Sequence, residues 1–269
     1  MQYAPTLKRR GSEGSLRPFA SLRVTVLENH CKQMGKITLD IERYDPDKKT
    51  QFFQSFQIPW EKRDMTVLEG LFYIQENLDD SLSFRTSCRS AVCGSCAMHI
   101  NGQHRLACNT LFSALKTNKV TIKHLAHLPV QKDLCVDMSP FWEKYEKTMP
   151  YLMPGSPPPE EERIQSEGQR AEINVVIDCI QCACCYSSCP VTLTSKDYLG
   201  PAALLKIDRF LRDSRDEAKG KRLETADNPH GVWRCHNVYN CQRACPKKLD
   251  PPRSIVNIKR GIMGRELRP

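Results

Sequence analysis

Fourteen cysteines are the most chemically distinctive feature of this 269-residue sequence. They are clustered, and Cys182, Cys184 and Cys185 lie too close together for a comfortable set of disulfides. The N-terminus is basic and polar and lacks the apolar segment of a secretory signal. Cysteine clusters in a reducing compartment indicate metal binding, and their spacing indicates which metal.

The first group of cysteines has the pattern C-x4-C-x2-C-x11-C and consists of Cys88, Cys93, Cys96 and Cys108. The x4/x2 opening is typical of plant-type ferredoxins, in which a tight loop wraps thiolates around a [2Fe–2S] cluster. Small residues between positions 90 and 95 allow backbone N–H groups to approach the sulfurs, and Arg85 and Arg89 add positive potential. A structural zinc site is the alternative, but zinc favours two CxxC knuckles.

A predicted hairpin explains how the fourth cysteine of this group reaches the others. Asn101-Gly102 is the strongest short signal for a two-residue hairpin turn. With that turn, the register places Cys96 opposite Ala107. Cys108 therefore returns beside Cys96, and four sulfurs converge.

The second half of the chain contains two related runs. One reads C-x2-C-x2-C-x3-C-P, the bacterial ferredoxin run, whose fourth cysteine binds the other cluster of a pair. The other reads C-x2-V-x2-C-x3-C-P, with Val238 at one ligand position. This crossing rule assigns Cys179, Cys182, Cys185 and Cys245 to a [4Fe–4S] cluster, and Cys189, Cys235 and Cys241 to another centre. Because valine cannot bind iron, three thiolates predict a [3Fe–4S] cluster at the second of these sites.

Three cysteines, Cys31, Cys135 and Cys184, lie outside these ligand sets. Cys184 sits inside the motif at a non-ligand position and would become a ligand only if the register slipped. We expect Cys31 and Cys135 to be ordinary packed or partly exposed thiols.

The elements that must position these cysteines divide the chain into two parts. Alternating apolar residues predict strands within 22–58, with a turn at 44–47, and a further strand at Val120 and Ile122. Thr66 and Glu69 form a capping box for a helix over 66–78, whose inner face carries Val67, Leu71, Ile74 and Leu78. Strands, one helix and more strands predict a small α+β domain.

After this domain the pattern becomes helical. The proline-rich stretch 149–163 cannot form a regular element. Pro201 begins a helix that carries Leu204, Ile207, Phe210 and Leu211 on one side, and 253–263 fits a last helix. We expect a disordered basic arm at 1–21, a first domain at 22–135, a proline-rich connector at 136–170 and a second, helical domain at 171–269.

Charge and hydropathy limit the possible partners. The net charge is +9 with an isoelectric point near 8.9, but basic and acidic residues alternate without a Lys/Arg stripe. This favours a solvated surface, or one that docks an acidic partner, and we expect no nucleic-acid partner. Mean hydropathy is −0.51 and no run of about 18 apolar residues occurs, so we expect no transmembrane helix.

With these motifs together, the chain resembles the iron–sulfur subunits of succinate dehydrogenase and fumarate reductase, the respiratory complex II family. The similarity covers about 37–259 and includes all three cysteine groups. Its further motifs are RYDPD at 43–47, MTVLEGL at 65–71, LGPAALL at 199–205 and DSRD at 213–216.

This resemblance implies a β-grasp, ferredoxin-like domain followed by an all-α helical ferredoxin domain. It also implies electron transfer between FAD on a flavoprotein subunit and a quinone at a membrane anchor, in succinate:quinone oxidoreductase. The order of the clusters would be [2Fe–2S], [4Fe–4S], [3Fe–4S], and the dicarboxylate site would lie on the flavoprotein. The absence of a clear transit peptide favours the cytoplasmic face of a bacterial inner membrane over a mitochondrial matrix.

The resemblance also implies quinone contacts at Pro190 and His236. The tryptophan that many ubiquinone-reducing members carry shortly after that proline is absent from 191–194. The quinone therefore stays open between menaquinone and ubiquinone, as does a haem b in the anchor, and quinol:fumarate reductase is the alternative direction. For His236, a hydrogen bond to a cluster sulfur is the alternative role.

Two other classes of protein compete with this interpretation. A soluble module of the heterodisulfide-reductase type would carry two complete cysteine runs and often lacks the first cysteine group. A zinc-stabilised interaction protein would not require the proline that follows the last cysteine of each of the two runs. Val238 and the group from Cys88 to Cys108 argue against the first alternative.

Overall fold

The computed structural model describes residues 35–60, 64–155, 157 and 159–264. The residues from Gly35 onward form one compact unit. The predicted strand at 22–26, the basic arm at 1–21 and Cys31 lie outside the described residues.

A mixed five-stranded sheet forms the first part of this unit. Its order is β2-β1-β5-β3-β4; β1 and β5 run parallel, and the other neighbours are antiparallel. The strands are β1 (Gly35–Asp45), β2 (Thr50–Trp60), β3 (Ala97–Ile100), β4 (Gln103–Leu106) and β5 (Lys119–Lys123). The predicted alternation is confirmed on β1 and β5, since Ile37, Leu39, Ile41, Val120 and Ile122 are all buried.

The turn between β1 and β2 lies two residues later than the sequence predicts. Strand pairing continues to Asp45 and Thr50, which leaves 46–49 as the turn. Asp45 causes the shift, because its carboxylate accepts hydrogen bonds from the backbone N–H groups of Asp47 and Lys48 at 3.0 and 3.2 Å. Phe52 was predicted to share the buried face. It is exposed because it lies near the start of β2, next to the turn.

Helix α1 (Val67–Asn77) begins where the capping box predicts. The side chain of Thr66 accepts the N–H of Glu69, and the carboxylate of Glu69 accepts the N–H of Thr66 at 2.7 Å. Val67, Leu71 and Ile74 are buried as predicted. Leu78 is exposed, because it is the C-cap residue and no longer follows the helical period.

A buried arginine fastens the sheet to the loop that leads to the first cysteines. Arg43 on β1 donates to Asp133 at 2.8 Å, to Asp79 at 2.7 Å and to Ser81 at 2.9 Å. Hydrogen bonds from Ser81 and Arg43 lower the pKa of Asp79 to about 2, although burial opposes this shift. The network fixes residues 79–83, which immediately precede the first cysteine loop.

The second part of the unit is helical. The predicted helices at Pro201 and near 253 are present, the latter beginning two residues earlier at Pro251. The helix Ser139–Glu146 was not predicted, although Pro140 lies in its first turn and Phe141 and Tyr145 are both buried one turn apart. Two short strands, β6 (Val130–Lys132) and β7 (Cys135–Val136), lie between β5 and this helix. The helices are α2 (Phe112–Leu115), between β4 and β5, then α3 (Ser139–Glu146), α4 (Glu167–Ile173), α5 (Cys184–Ser187), α6 (Pro190–Thr194), α7 (Pro201–Leu211), α8 (Lys219–Ala226), α9 (Asn240–Arg243) and α10 (Pro251–Ile262).

One buried arginine holds the proline-rich stretch against these helices. As predicted, the described residues of 149–163 contain no helix or strand. Arg222 on α8 pairs with Asp216 through two hydrogen bonds of 3.0 and 2.7 Å. It also donates to the carbonyl oxygens of Met149 and Tyr151, each at 2.7 Å. Backbone groups of the irregular segment thus find partners in a side chain.

None of the helices within the described ranges is long and apolar enough to cross a membrane.

Candidate metal centres

The first cysteine loop lies between α1 and β3, and the hairpin β3–β4 carries its fourth member. The predicted hairpin register is confirmed, since Ile100 pairs with Gln103 around the turn. One step beyond the last pair, the N–H of Ala107 donates to the carbonyl of Cys96 at 3.0 Å. Cys108 follows, and its own N–H lies 3.5 Å from the sulfur of Cys96.

All four sulfurs of this first group accept backbone N–H groups. Cys88 Sγ accepts from the N–H groups of Ser90, Val92 and Cys93, each at 3.3 Å. The N–H of Ala91 points at Cys108 Sγ at 3.3 Å, and the N–H of Ser95 points at Cys93 Sγ at 3.5 Å. Amide dipoles directed at sulfur stabilise the thiolate form, which is the form that binds metal.

Left-handed residues produce this inward orientation of the amides. Arg89 and Ala91 have φ of 57° and 56°, and Gly94 has φ of 76°. Where left-handed residues alternate with residues of ordinary conformation, the successive backbone N–H groups point toward the same side of the loop. The Arg89 guanidinium also stacks 4.5 Å above the ring of Phe72 on α1, which anchors the loop.

The thiols of this group differ in acidity. Burial acts to raise the pKa of the Cys93 thiol, but hydrogen bonds from Ser95 and Cys88 together outweigh it and lower the pKa to about 6. Burial raises the pKa of Cys96 to about 12. Cys93 lies at the exposed end of the group and Cys96 at the buried end.

The second group of cysteines lines one cavity in the helical part. Cys179, Cys182 and Cys185 of the first run and Cys245 of the second run all line it. Burial raises the pKa of Cys179 to about 11, and the neighbouring sulfurs of Cys182 and Cys245 add to this effect. The structure therefore brings together the four cysteines that the crossing rule groups.

The third group lines a neighbouring cavity. Cys189 of the first run meets Cys235 and Cys241 of the second, and Val238 completes the wall at the position of the missing cysteine. Burial raises the pKa of Cys241 to about 12. Val238 is 47% exposed, so this cavity lies near the protein surface. Pro190 and His236, the two predicted quinone contacts, line the same cavity.

The two runs share a backbone conformation as well as a spacing. Gln181 and Ala183 of the first run have φ of 53° and 60°, and at the same offsets Asn237 and Tyr239 of the second have φ of 55° and 64°. Each run then enters a four-residue helix, α5 or α9. Both loops thus curl around their cavities in the same way, although one of them lacks a cysteine.

The first and second groups are in direct contact through a glycine. A Cβ atom on Gly94 would lie 2.8 Å from Cys182 Cβ and 2.9 Å from the carbonyl oxygen of Ile180. A second cavity is lined by both Cys93 and Cys182. Only a residue without a side chain allows the two cysteine loops to approach this closely.

Cys184 and Cys135 have other surroundings. Cys184 is fully buried, does not line the cavity of the second group, and forms a hydrogen bond with Cys182. Cys135 is partly buried on β7, and burial raises its pKa. Tyr198, which the sequence analysis did not single out, is buried and lines the third cavity. No local motif marks Tyr198, because its role depends on how the helices pack.

The arrangement of the sulfurs fits polynuclear clusters. Among the described residues, no three Cys, His, Asp or Glu side chains converge as the ligands of one ion do. Zinc holds each sulfur at about 2.3 Å, so its ligands crowd around a point. Cysteines that surround a cavity instead match a cubane-type cluster, in which each thiolate binds a different iron, whereas a [2Fe–2S] cluster takes two thiolates on each iron.

Comparisons with known proteins agree with this division. A 2Fe-2S iron-sulfur cluster binding domain matches residues 38–143, and a 4Fe-4S dicluster domain matches residues 175–249. The succinate dehydrogenase iron-sulfur subunit of Paracoccus denitrificans is 39% identical over 228 residues, which are 84% of this chain and 88% of that protein.

Solved structures share the fold. A chain of the Mycobacterium smegmatis Sdh1 complex in the apo form superposes with a TM-score of 0.76 and 23% identity, over 88% of this chain and 99% of that chain. A hypothetical protein from Helicobacter pylori gives a TM-score of 0.52 at 17% identity, over 87% of this chain and 41% of that chain. The molecule thus consists of a mixed sheet with helices, an N-terminal 2Fe–2S domain and a later 4Fe–4S domain.

Proposed function

Because the chain belongs to the family of succinate dehydrogenase iron–sulfur subunits, we propose that it relays electrons in succinate:quinone oxidoreductase between FAD on a flavoprotein subunit and a quinone at a membrane anchor. The observation that carries this proposal is the succession of three sulfur groups, the first and second of which touch through Gly94, while Cys185 of the second interacts electrostatically with Cys241 of the third.

The ligands follow from which thiols share a loop or a cavity. Cys88, Cys93, Cys96 and Cys108 would hold a [2Fe–2S] cluster. Cys179, Cys182, Cys185 and Cys245 would hold a [4Fe–4S] cluster. Cys189, Cys235 and Cys241 would hold a [3Fe–4S] cluster, because Val238 offers no fourth ligand.

When bound, the three clusters supply one-electron redox chemistry, which links the two-electron couples of flavin and quinone. The chain's own residues tune and protect these sites. Backbone N–H groups directed at Cys88 and Cys108 stabilise negative charge on sulfur. The hairpin and α1 exclude water from Cys96, and the helical core does so for Cys241.

Exposed apolar side chains at both ends of this succession of sulfur groups support two partner subunits. Near the first group, Val92 is exposed between Cys88 and Cys93, beside Arg89. Around the third cavity, five exposed apolar residues either line it or lie within two residues of a lining residue. They are Leu193, Trp233, Val238, Tyr239 and Val256. We assign the first end to the flavoprotein and the second to the anchor, and we propose that the chain is a peripheral membrane subunit on the cytoplasmic face of the membrane.

Pro190 and His236 are the proposed quinone contacts. Both line the third cavity, and His236 is exposed beside Cys235. The anchor would complete the site with its own residues, which include the ligands of any haem b. The β-grasp assignment of the first domain rests on the parallel pairing of β1 with β5 inside an otherwise antiparallel sheet.

Low-temperature EPR of the purified complex tests this proposal. We expect a near-isotropic signal in the oxidised sample that disappears on mild reduction, followed by signals of a [2Fe–2S] and a [4Fe–4S] cluster. Silence in the oxidised sample, with two [4Fe–4S] signals after reduction, would overturn the third assignment and favour a soluble redox module.

The direction of electron flow needs a separate assay. Succinate oxidation with a quinone acceptor and fumarate reduction with a quinol donor are measured on the same complex. We expect the first rate to exceed the second, with either menaquinone or ubiquinone analogues. The reverse order would identify a quinol:fumarate reductase.

A further inference from the structure

Tyr198 is a buried phenol that faces the third group of thiols. It lies between α6 and α7 with 1% of its surface exposed, and it lines the cavity with Cys189, Cys235 and Cys241. Its hydroxyl forms a hydrogen bond with the sulfur of Cys235. A phenol is a donor at neutral pH, so the O–H group points its positive end at a ligand sulfur.

The packing around the ring holds this donor in place. Tyr198 belongs to a buried cluster with Val191, Leu204, Ile207 and Ile255. A phenol carries its proton at neutral pH, and burial further disfavours its charged form. A side chain enclosed by α6, α7 and α10 cannot turn its hydroxyl toward water instead.

A second donor to this sulfur lies at the protein surface. The N–H of Asn237 lies 3.5 Å from Cys235 Sγ, but Asn237 is exposed and water competes there. A hydrogen bond inside a low-dielectric core acts more strongly on charge than one at the surface. The buried phenol therefore acts on this sulfur from the side that water does not reach.

We propose that Tyr198 is a positioning residue that raises the reduction potential of the third centre by donating a hydrogen bond to Cys235. The inference rests on the proposed assignment of a cluster to Cys189, Cys235 and Cys241. Reduction adds one negative charge to the centre, and a donor to a ligand sulfur stabilises the more negative state. Tyr198 thereby makes the last centre before the quinone a better electron acceptor.

The test is a redox titration of the oxidised-state EPR signal in the complete complex with Tyr198→Phe, which keeps the ring and removes the hydroxyl. At a fixed ambient potential we expect the ratio of reduced to oxidised centre to fall about tenfold, which is about 59 mV for a one-electron couple. The matched control is Tyr186→Phe. Tyr186 is also buried, but its hydroxyl accepts from Lys144 at 2.6 Å and it does not line this cavity. The control should leave the potential unchanged.

A second variant separates the hydrogen bond from packing. Replacing Tyr198 with 3,5-difluorotyrosine makes the phenol a stronger donor, and we expect the potential to rise instead. If the Tyr198→Phe variant assembles the third centre and that centre titrates at the wild-type potential, the inference is overturned. A fall in the potential of the third centre with 3,5-difluorotyrosine would also overturn it. If Tyr198→Phe does not assemble the centre, the difluorotyrosine titration decides alone. A wild-type complex without the oxidised-state signal would instead refute the [3Fe–4S] assignment itself.

Discussion

Gly94→Ala tests whether the first two cysteine loops are in contact. The new methyl group would lie 2.8 Å from Cys182 Cβ, 2.9 Å from Ile180 O and 3.0 Å from Cys182 Cα. Ordinary contacts between such atoms are about 3.5–4.0 Å, so the 180–182 segment must retreat by roughly 0.5–1 Å. Overpacking of this kind costs about 1–3 kcal/mol.

A second cost comes from the backbone alone. Gly94 has φ of 76°, and a left-handed alanine costs about 1–2 kcal/mol. Gly102→Ala is the matched control, because Gly102 has φ of 82° and no atom within 4 Å of the position of a new Cβ. The difference between the two variants therefore isolates the clash.

Denaturant unfolding of the cluster-loaded protein, followed by its visible absorption, measures both variants. We expect Gly94→Ala to lower the free energy of unfolding by about 2–5 kcal/mol and Gly102→Ala by about 1–2 kcal/mol. In Gly94→Ala the magnetic interaction between the first two reduced centres should also weaken. Equal destabilisation by the two substitutions, with that interaction unchanged, would refute the direct contact.

Three further substitutions test the assignment of the cluster ligands and the buried network around Arg43. Val238→Cys places a thiol on the wall of the third cavity, so the oxidised-state EPR signal should be replaced by a second [4Fe–4S] signal on reduction; persistence of the original signal would contradict the ligand assignment. Cys184→Ala should retain the [4Fe–4S] EPR signal, because Cys184 does not line that cavity, whereas loss of the signal would make it a ligand. Asp79→Asn should lower the free energy of unfolding in urea by about 2 kcal/mol. A pKa of about 2 in the folded protein means that the Asp79 contribution is complete above the unfolded pKa of about 4 and disappears only as pH falls from there toward 2. The Asp79→Asn penalty should thus be equal at pH 8 and pH 5, and a smaller penalty at pH 5 would show that the carboxylate is not held ionised by Ser81 and Arg43.

Local signals explain what could be predicted from the sequence. The capping box at Thr66 and the hairpin at Asn101-Gly102 involve residues within four positions of one another, so their geometry follows from the backbone itself. The turn after β1 was misplaced because the Asx hydrogen bonds of Asp45 outweighed the proline at position 46.

Contacts between distant segments account for the features that sequence reasoning missed. Arg222 reaches the carbonyl groups of Met149 and Tyr151 across more than 70 residues. The contact of Gly94 with Cys182 and the position of Tyr198 also depend on how separate loops and helices pack. The spacing of residues within one segment carries no information about such contacts between segments.

The exchange of cysteines between the two runs couples the maturation of the two helical sites. Each cavity is lined by thiols from both runs. Cys245 of the second run lines the cavity of the second group, and Cys189 of the first run lines the cavity of the third group. In the proposed assignment, the [4Fe–4S] set is complete only after synthesis has passed Cys245 and the third set only after it has passed Cys241, and both sets require the two runs to have docked. With the proposed ligand sets, insertion of one cluster would bring the runs together and so organise the other site, which would make cluster loading cooperative. A chain interrupted anywhere between the two runs loses both sites together.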